Sequence, residues 1–206
     1  MMTPPLQVTG IAKCFARKSI LVNASLTVPS GSLVGIVGEN GTGKSTLLKI
    51  IVGALRPDAG SVTRRGRIGY CPQDVTLFEE LTIHENFKLF AAAYGLSDEK
   101  AWRKTADELI VKLSFRAYEH SMAKVLSGGT RQKLNLAIAL LHNPDVLVLD
   151  EPYAAFDWQT YLKFWELADE LRRTGKSLLI VSHLVYDREK FDQIHELRSG
   201  ALERIQ

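Results

Sequence analysis

The sequence has little of what would place a protein outside the cytosol. Its 206 residues include only two cysteines, Cys14 and Cys71, which lie far apart and show no C-x-x-C spacing. This usage disfavours a disulfide framework or a zinc site and favours a reducing compartment, with both thiols free and half-buried. No apolar run approaches the roughly 20 residues that span a bilayer, and residues 1–5 lack the segments of a signal peptide. We therefore expect a cytosolic protein that reaches a membrane only through a partner.

The sequence also lacks a basic run and a strong charge imbalance. Its 26 Lys and Arg residues are scattered among 23 Asp and Glu residues, for a net charge of +3, so nucleic acid is not an expected partner. Long linkers, internal repeats and sustained heptads are missing as well, which disfavours a coiled-coil insertion. With 46% hydrophobic residues the chain can bury a full core as one domain, with room for an inserted subdomain.

Residues 38–45 match the pattern G-x-x-x-x-G-K-[ST] and directly follow an apolar run, residues 33–37, that predicts a buried strand. Residues 46–52 then continue as a helix. Glycines let backbone N–H groups curl around phosphate oxygens, while the lysine and the serine reach phosphate and magnesium. The pattern predicts a nucleotide-binding protein, and residues 38–45 are its phosphate-binding loop, or P-loop. The expected nucleotide contacts are Gly38, Asn40, Gly41, Thr42, Gly43, Lys44, Ser45 and Thr46.

The order of the predicted elements indicates an α/β fold. A short strand over 67–71 is followed by helices that begin near Thr82, which has capping-box spacing, and near Asp98. Continuous apolar runs at 146–149 and 177–181 are typical of strands that a parallel sheet buries on both faces. We predict a P-loop NTPase core with a mixed β-sheet and an inserted α-helical subdomain.

Two further motifs carry chemistry. Ser127, Gly128 and Gly129 open a predicted helix, so that a hydroxyl and backbone N–H groups form a second potential phosphate site. Asp150 and Glu151 directly follow the apolar run at 146–149, which delivers two carboxylates to the sheet edge beside the P-loop. Asp150 suits a position beside magnesium, either directly or through water.

In this combination the sequence resembles the ATP-binding cassette (ABC) family. The family's signature loop, L-S-G-G-Q, is matched by residues 126–130 with Thr130 in place of glutamine. The resemblance implies that Ser127, Gly128 and Gly129 contact the γ-phosphate held by the P-loop of an opposing subunit. It covers nearly the whole chain, from about Leu6 to the end.

The resemblance also implies the catalytic and metal-binding residues. Glu151 matches the general base that polarises the attacking water, and His183 matches the switch histidine that contacts the γ-phosphate. Gln73 matches the glutamine that senses magnesium and water while linking the sheet to the helical subdomain. The implied magnesium ligands are Ser45, Gln73 and Asp150.

Two more positions follow from the resemblance. Phe15 lies where the family stacks an aromatic ring on adenine, and phenylalanine supplies the same π-face as the commoner tyrosine. Asp157 matches the loop that passes between the two nucleotides of a dimer. Tyr153 and Phe156 depart from the usual small polar residue and leucine there.

The function that the resemblance implies is that of a stand-alone ATPase subunit of a membrane transporter. The ABC ATPase domain is expected over residues 6–206, with residues 1–73 and 143–206 as the nucleotide-binding core and residues 74–142 as the helical subdomain. The implied cofactors are ATP and Mg²⁺. The implied partners are a head-to-tail second cassette, identical or different, and an integral membrane subunit at the cytoplasmic face of the membrane.

Alternatives remain open at this point. A soluble mechanical ATPase would carry long coiled coils, a translation-type factor would need two cassettes in one chain, and a small-molecule kinase would have no use for residues 126–129. The cargo contacts the membrane subunit and is not encoded here. Residues 77–86 resemble exporter-type cassettes, and no regulatory domain follows the last predicted strand, so export is favoured over import.

Residues 74–81 are unusually apolar for a loop, and this predicts a contact with the membrane subunit. Four apolar residues occur there, Val75, Leu77, Phe78 and Leu81. In the family this region forms the groove that receives a short helix of the membrane subunit. The alternative is that Leu77 and Leu81 pack inside the helical subdomain and only Phe78 is exposed.

Overall fold

The computed structural model describes residues 3–182 and 187–206 and contains two β-sheets. The smaller sheet is antiparallel, with the strand order β2-β1-β4. Its first two strands form a hairpin with a tight turn at Ala16 and Arg17, which both have positive φ angles (45° and 70°). The strands are β1 (Leu6–Phe15), β2 (Lys18–Val28) and β4 (Ala59–Arg64).

The larger sheet has six strands in the order β5-β6-β7-β3-β8-β9. The first five are parallel, and β9 joins the edge antiparallel to β8, so the sheet is mixed as the sequence predicted. The carboxyl ends of the parallel strands therefore meet at one edge of the sheet. The strands are β3 (Leu33–Val37), β5 (Ile68–Cys71), β6 (Val146–Asp150), β7 (Ser177–Val181), β8 (Gln193–Arg198) and β9 (Ala201–Arg204).

In the residues that the structure describes, five α-helices begin where the sequence places good capping residues or the P-loop. Thr82 and Glu85 form the predicted capping box, and the Asp98 carboxylate accepts a hydrogen bond from the Ala101 N–H. The helices are α1 (Lys44–Ile51), α2 (Ile83–Ala93), α3 (Glu99–Lys112), α4 (Gly128–Leu140) and α5 (Trp158–Arg173).

The core has two parts because the parallel strands are buried on both faces. In β6, Leu147 and Leu149 face the cluster formed with α2–α5, whereas Val146 and Val148 face the cluster formed with α1 and the antiparallel sheet. The buried face of α3, formed by Trp102, Ala106, Leu109 and Ile110, packs in the same cluster as the sheet. The helices after β5 therefore share one continuous core with the strands that carry the site.

The expectation of two half-buried thiols is wrong. Cys14 is exposed near the end of β1, whereas Cys71 is completely buried at the end of β5, and both are free. The difference arises because β1 belongs to the outer antiparallel sheet, while β5 lies under α4, whose Asn135 amide donates to the Cys71 sulfur at 3.3 Å. No helix in the described part of the chain is long and apolar enough to cross a membrane.

Candidate active site

The loop between β3 and α1 has the backbone of a phosphate cradle. Gly41 and Gly43 have positive φ angles of 82° and 105°, which glycine adopts without strain. A Cβ atom at Gly43 would also lie only 2.7 Å from the Ile20 side chain. Gly43 has no side chain to cap α1, which begins at Lys44, so the N-terminal N–H groups of the helix can serve an anion.

Lys44 places its positive charge over this loop. Its side chain is 8% exposed, and Nζ donates hydrogen bonds to the carbonyl oxygens of Gly38, at 2.6 Å, and Glu39, at 2.9 Å. Both bonds hold the ammonium group inside the concave side of the loop. A buried ammonium group in this position attracts phosphate oxygens strongly, because water screens the interaction little.

Asp150 is the last residue of β6 and is only 4% exposed. Burial raises the pKa of its carboxyl group, and the adjacent Glu151 carboxylate raises it further. A hydrogen bond from the Ser45 hydroxyl and the charge of Lys44 act in the opposite direction and lower the pKa. The carboxyl ends of β3 and β6 thus bring Asp150 into direct contact with the first turn of α1.

Glu151 is held in a strained backbone conformation immediately after the strand. Its φ angle is +48°, in the left-handed region that non-glycine residues rarely adopt. Its backbone N–H donates to the Val181 carbonyl at 2.9 Å, and its carboxylate accepts a hydrogen bond from the Ser182 hydroxyl at 2.9 Å. The residue is 8% exposed, so its side chain is directed by the protein rather than by solvent.

These groups open into one cleft of about 510 Å³. Its size is in the range of small-molecule and cofactor sites. Ten of the sequence-predicted residues line it, together with Ile20, which sequence analysis missed. The lining residues are Phe15, Ile20, Asn40, Gly41, Gly43, Lys44, Ser45, Thr46, Gln73, Asp150 and Glu151.

Phe15 and Gln73 come to the cleft from different sheets. Phe15 ends β1, its ring is exposed, and Lys13 Nζ lies 5.5 Å from the ring centroid. Gln73 lies two residues beyond β5, at the carboxyl edge of the larger sheet. Ile20 adds an apolar wall next to Gly43. The alternating pattern of β2 was the only signal for Ile20, and it does not distinguish a core position from a cleft wall.

The remaining predicted residues lie elsewhere. Gly38 and Thr42 belong to the P-loop backbone but not to the cleft lining, and the Thr42 hydroxyl donates to the Glu39 carbonyl at 2.9 Å. Asp157 is the N-cap of α5, where its carboxylate accepts the Thr160 N–H at 2.7 Å. His183 falls outside the described residues.

The signature loop is at the start of α4 and is not among the residues that line the cleft. Ser127 is exposed and caps α4 by accepting the Thr130 N–H at 3.2 Å. The Thr130 hydroxyl lies 3.0 Å from the Ser127 hydroxyl, so the departure from glutamine adds a contact within the loop. A Cβ atom at Gly129 would lie 2.9 Å from the Ala155 carbonyl oxygen, which explains the glycine at that position.

The fold and the cleft define the class of the protein. A parallel strand runs into a glycine-rich loop and a helix, and a buried lysine occupies the loop. Two carboxylates stand at the carboxyl end of β6, which is separated from β3 by one strand of the same sheet. This arrangement is that of a P-loop protein that binds a nucleoside triphosphate and promotes transfer of its terminal phosphoryl group.

Comparison with known proteins identifies the family. The family model described as "ABC transporter" matches residues 21–154, which is more than half of the chain. An uncharacterised ABC transporter ATP-binding protein of Methanocaldococcus jannaschii is 31% identical over 97% of this chain and 76% of its own length. The Nod factor export ATP-binding protein I of Burkholderia lata is 35% identical over 97% of this chain and 70% of its own length.

A solved structure agrees with these relatives. A dimeric ATP-binding cassette in a post-hydrolysis state, bound to ADP and Pi, superposes with a TM-score of 0.87 at 28% identity and covers 97% of both chains. The chain belongs to the ABC transporter family. It is an ATP-binding subunit of a transporter, with the ABC ATPase fold, and it hydrolyses ATP.

Proposed function

We propose that this chain powers export by closing head to tail with a second cassette around ATP and passing that motion to an integral membrane subunit. The observation that carries the proposal is the separation of two phosphate-binding elements. Lys44 and Glu151 line one cleft, whereas Ser127 and Gly129, at the start of α4, are not among its lining residues. Two elements that would contact one γ-phosphate but lie apart in one chain can meet only across a dimer.

In this proposal each chain binds one ATP in its own cleft. The Phe15 ring stacks on adenine, and the P-loop N–H groups and Lys44 hold the phosphates. The exposed ring and the partly open cleft suit a nucleobase that enters from solvent. The domain division proposed from the sequence, with residues 74–142 as a helical subdomain, places the signature loop in the inserted part and the P-loop in the core.

The residues present fit a magnesium ion. Ser45, Gln73 and Asp150 offer hydroxyl, amide and carboxylate oxygens on one cleft, which are the donors that Mg²⁺ prefers. The Ser45 hydroxyl already contacts the buried Asp150 carboxyl group, whose pKa burial raises, and a nearby cation would favour its ionised form. When bound, Mg²⁺ supplies positive charge to the phosphate oxygens.

Glu151 acts in this proposal as the general base, taking the proton of the water that attacks the γ-phosphate. Its position at the end of β6 and its contact with Ser182 support this role. We assign His183 to the γ-phosphate on the resemblance alone. Release of phosphate without any added acceptor would separate this reaction from that of a small-molecule kinase.

The composite site predicts a dimer that depends on nucleotide. In the Glu151→Gln background, which slows hydrolysis, the protein should be monomeric without nucleotide and dimeric with Mg-ATP. Adding Ser127→Arg should abolish the dimer, because it places a bulky charge where Ser127 faces the partner's γ-phosphate. Light scattering with and without Mg-ATP measures both states.

The control for added charge is Ser97→Arg, because Ser97 is also an exposed serine just ahead of a helix. It should dimerise normally. Ser127→Arg also removes the cap of α4, at a cost of about 1 kcal/mol, so the unfolding temperature of both variants is measured. If folded Ser127→Arg protein dimerised normally, the composite-site model would be wrong.

Export and membrane docking are the finer part of the proposal. The relative from Burkholderia lata is named for export, and residues 77–86 resemble exporter-type cassettes. Among the four apolar residues of 74–81, Phe78 is 50% exposed, whereas Val75, Leu77 and Leu81 are partly buried. Phe78 is therefore the apolar side chain of this segment that offers the largest free surface to a membrane subunit.

The Phe78 backbone is fixed while its ring remains accessible. The Asn86 side chain accepts the Phe78 N–H at 2.9 Å and donates to its carbonyl at 3.1 Å. The Phe78 ring centroid lies 6.1 Å from that of Phe90, so one side of the ring packs against α2. A rigidly held aromatic ring at the surface is suited to anchoring a partner helix.

We expect Phe78→Ser to leave ATP affinity and the unfolding temperature near normal but to weaken copurification with the cognate membrane subunit at least about tenfold. Transport-coupled ATPase activity should fall in parallel. Val111→Ser is the matched control, because Val111 is an exposed apolar residue on α3, away from this segment. A large loss of stability with capture intact would mean that Phe78 belongs to the core and that the partner docks elsewhere.

A further inference from the structure

A buried hydroxyl group lies behind the Glu151 carboxylate. The Ser182 hydroxyl donates to Glu151 Oε2 at 2.9 Å, and both atoms are buried. Ser182 is 2% exposed and follows β7 directly. Its backbone N–H donates to the Ile36 carbonyl of β3 at 3.0 Å, so its position is fixed relative to the strand that leads into the P-loop.

Tyr153 lies beside Ser182. Burial raises the pKa of the Tyr153 hydroxyl to about 12, and the Ser182 hydroxyl next to it lowers that pKa. A serine hydroxyl has one hydrogen, and a carboxylate can only accept, so in the bond with Glu151 the Ser182 hydroxyl is the donor.

The Tyr153 ring is itself held in place. It makes edge-to-face contacts with Tyr161, at 5.5 Å between ring centroids, and with Phe164, at 5.6 Å. Both partners project from α5, and Phe164 is buried in the core. The Tyr161 hydroxyl donates in turn to the Asp187 carboxylate. An aromatic cluster thus fixes the position of Tyr153.

We propose that Ser182 and Tyr153 are positioning residues for ATP hydrolysis: the Ser182 hydroxyl sets the direction and the hydrogen bonding of the Glu151 carboxylate, and the Tyr153 side chain holds Ser182 in place. The inference rests on the proposed role of Glu151 as the base. The left-handed backbone of Glu151 fixes where its side chain starts, and Ser182 fixes where it ends. A base aimed in advance loses less free energy on reaching the geometry of proton transfer. This gives a role to Tyr153, which departs from the small polar residue usual in the family.

The first test separates catalysis from binding. Ser182→Ala should lower kcat for ATP hydrolysis about tenfold or more, because it removes a hydrogen bond to a charged group, while KM for ATP changes less than about twofold. Ser182→Thr keeps the hydroxyl and should restore most of kcat. Tyr153→Phe keeps the ring and should lower kcat by about two- to fivefold. A change in KM with kcat unaffected would overturn the inference. An unchanged kcat in both Ser182→Ala and Tyr153→Phe would overturn it as well.

The second test uses a variant without the base. In Glu151→Gln protein the residual hydrolysis should not fall further when Ser182→Ala is added, because the group that Ser182 orients no longer accepts the proton. A structural role would lower the rate by the same factor in both backgrounds, and that result would contradict the proposal. If the Glu151→Gln variant retained normal turnover, the assignment of Glu151 as the base would be wrong. If Glu151→Gln were inactive but Ser182→Ala hydrolysed ATP at the normal rate, only the role of Ser182 would be contradicted.

Discussion

Glu151→Gln protein is expected to bind ATP with near-normal affinity but to hydrolyse it at least about a hundredfold more slowly than the unmodified chain. A positioned general base contributes typically 10²- to 10⁴-fold to a rate, and the amide cannot take the proton. The glutamine side chain has the same shape, and its amide oxygen can still accept the hydrogen bond that Ser182 donates to Glu151. The loss is therefore expected in kcat rather than in folding or nucleotide affinity.

Phosphate release and ATP binding are measured on the same preparation of the Glu151→Gln variant. The matched control is Glu166→Gln, because Glu166 is an exposed glutamate on α5, and its loss should leave turnover unchanged. The unfolding temperature without nucleotide should also be the same for both variants. Near-normal phosphate release by folded Glu151→Gln protein would show that another group activates the water.

Lys44→Ala protein should lose ATP binding altogether at concentrations that saturate the unmodified chain. The substitution removes the buried ammonium group that Gly38 and Glu39 hold over the P-loop. Among the described residues that line the cleft, Lys44 alone carries a positive charge, so without it the phosphates would face Asp150 and Glu151 without compensation. The effect is on binding, and hydrolysis is lost as a consequence.

Thermal unfolding with and without Mg-ATP gives a direct readout. A ligand at one hundred times its Kd stabilises a protein by about 2.7 kcal/mol, which raises the unfolding temperature of a chain of this size by roughly 5–11 °C. Lys44→Ala should show no rise. Lys49→Ala, an exposed lysine one turn further along α1, should show the full rise. A full rise in Lys44→Ala protein would refute the assigned role of the lysine.

These predictions rest on elements that could be recognised without a structure. The apolar run 146–149 is continuous because β6 is buried on both faces, and the acids that follow it stand out for that reason. The capping box at Thr82 and the cap at Asp98 fix helix starts through contacts within three residues. These features depend only on residues that are close together in the sequence, so the sequence is sufficient to predict them.

The resemblance added residues that local signals could not assign. Phe15 and Gln73 reach the cleft from a different sheet and a different strand, and nothing in their immediate sequence points to a nucleotide. Asp157 and Ser127 have local roles in the structure, because their side chains cap α5 and α4. Their proposed roles across a dimer remain predictions, because they depend on a second cassette.

By itself, the sequence determined the P-loop, the paired carboxylates and the alternation of strands and helices, because each depends on short-range patterns of glycine, charge and apolar residues. Only the tertiary structure decided that Cys71 is buried while Cys14 is exposed, that Ile20 walls the cleft, and that Ser182 and Tyr153 stand behind Glu151. These facts follow from strands that lie far apart in the sequence but pair in the sheet, such as β5 with β6, where Ile68 pairs with Val146, and β3 with β7, where Leu33 pairs with Leu178. Pairing over such separations is set by the packing of the whole core, which no local pattern encodes.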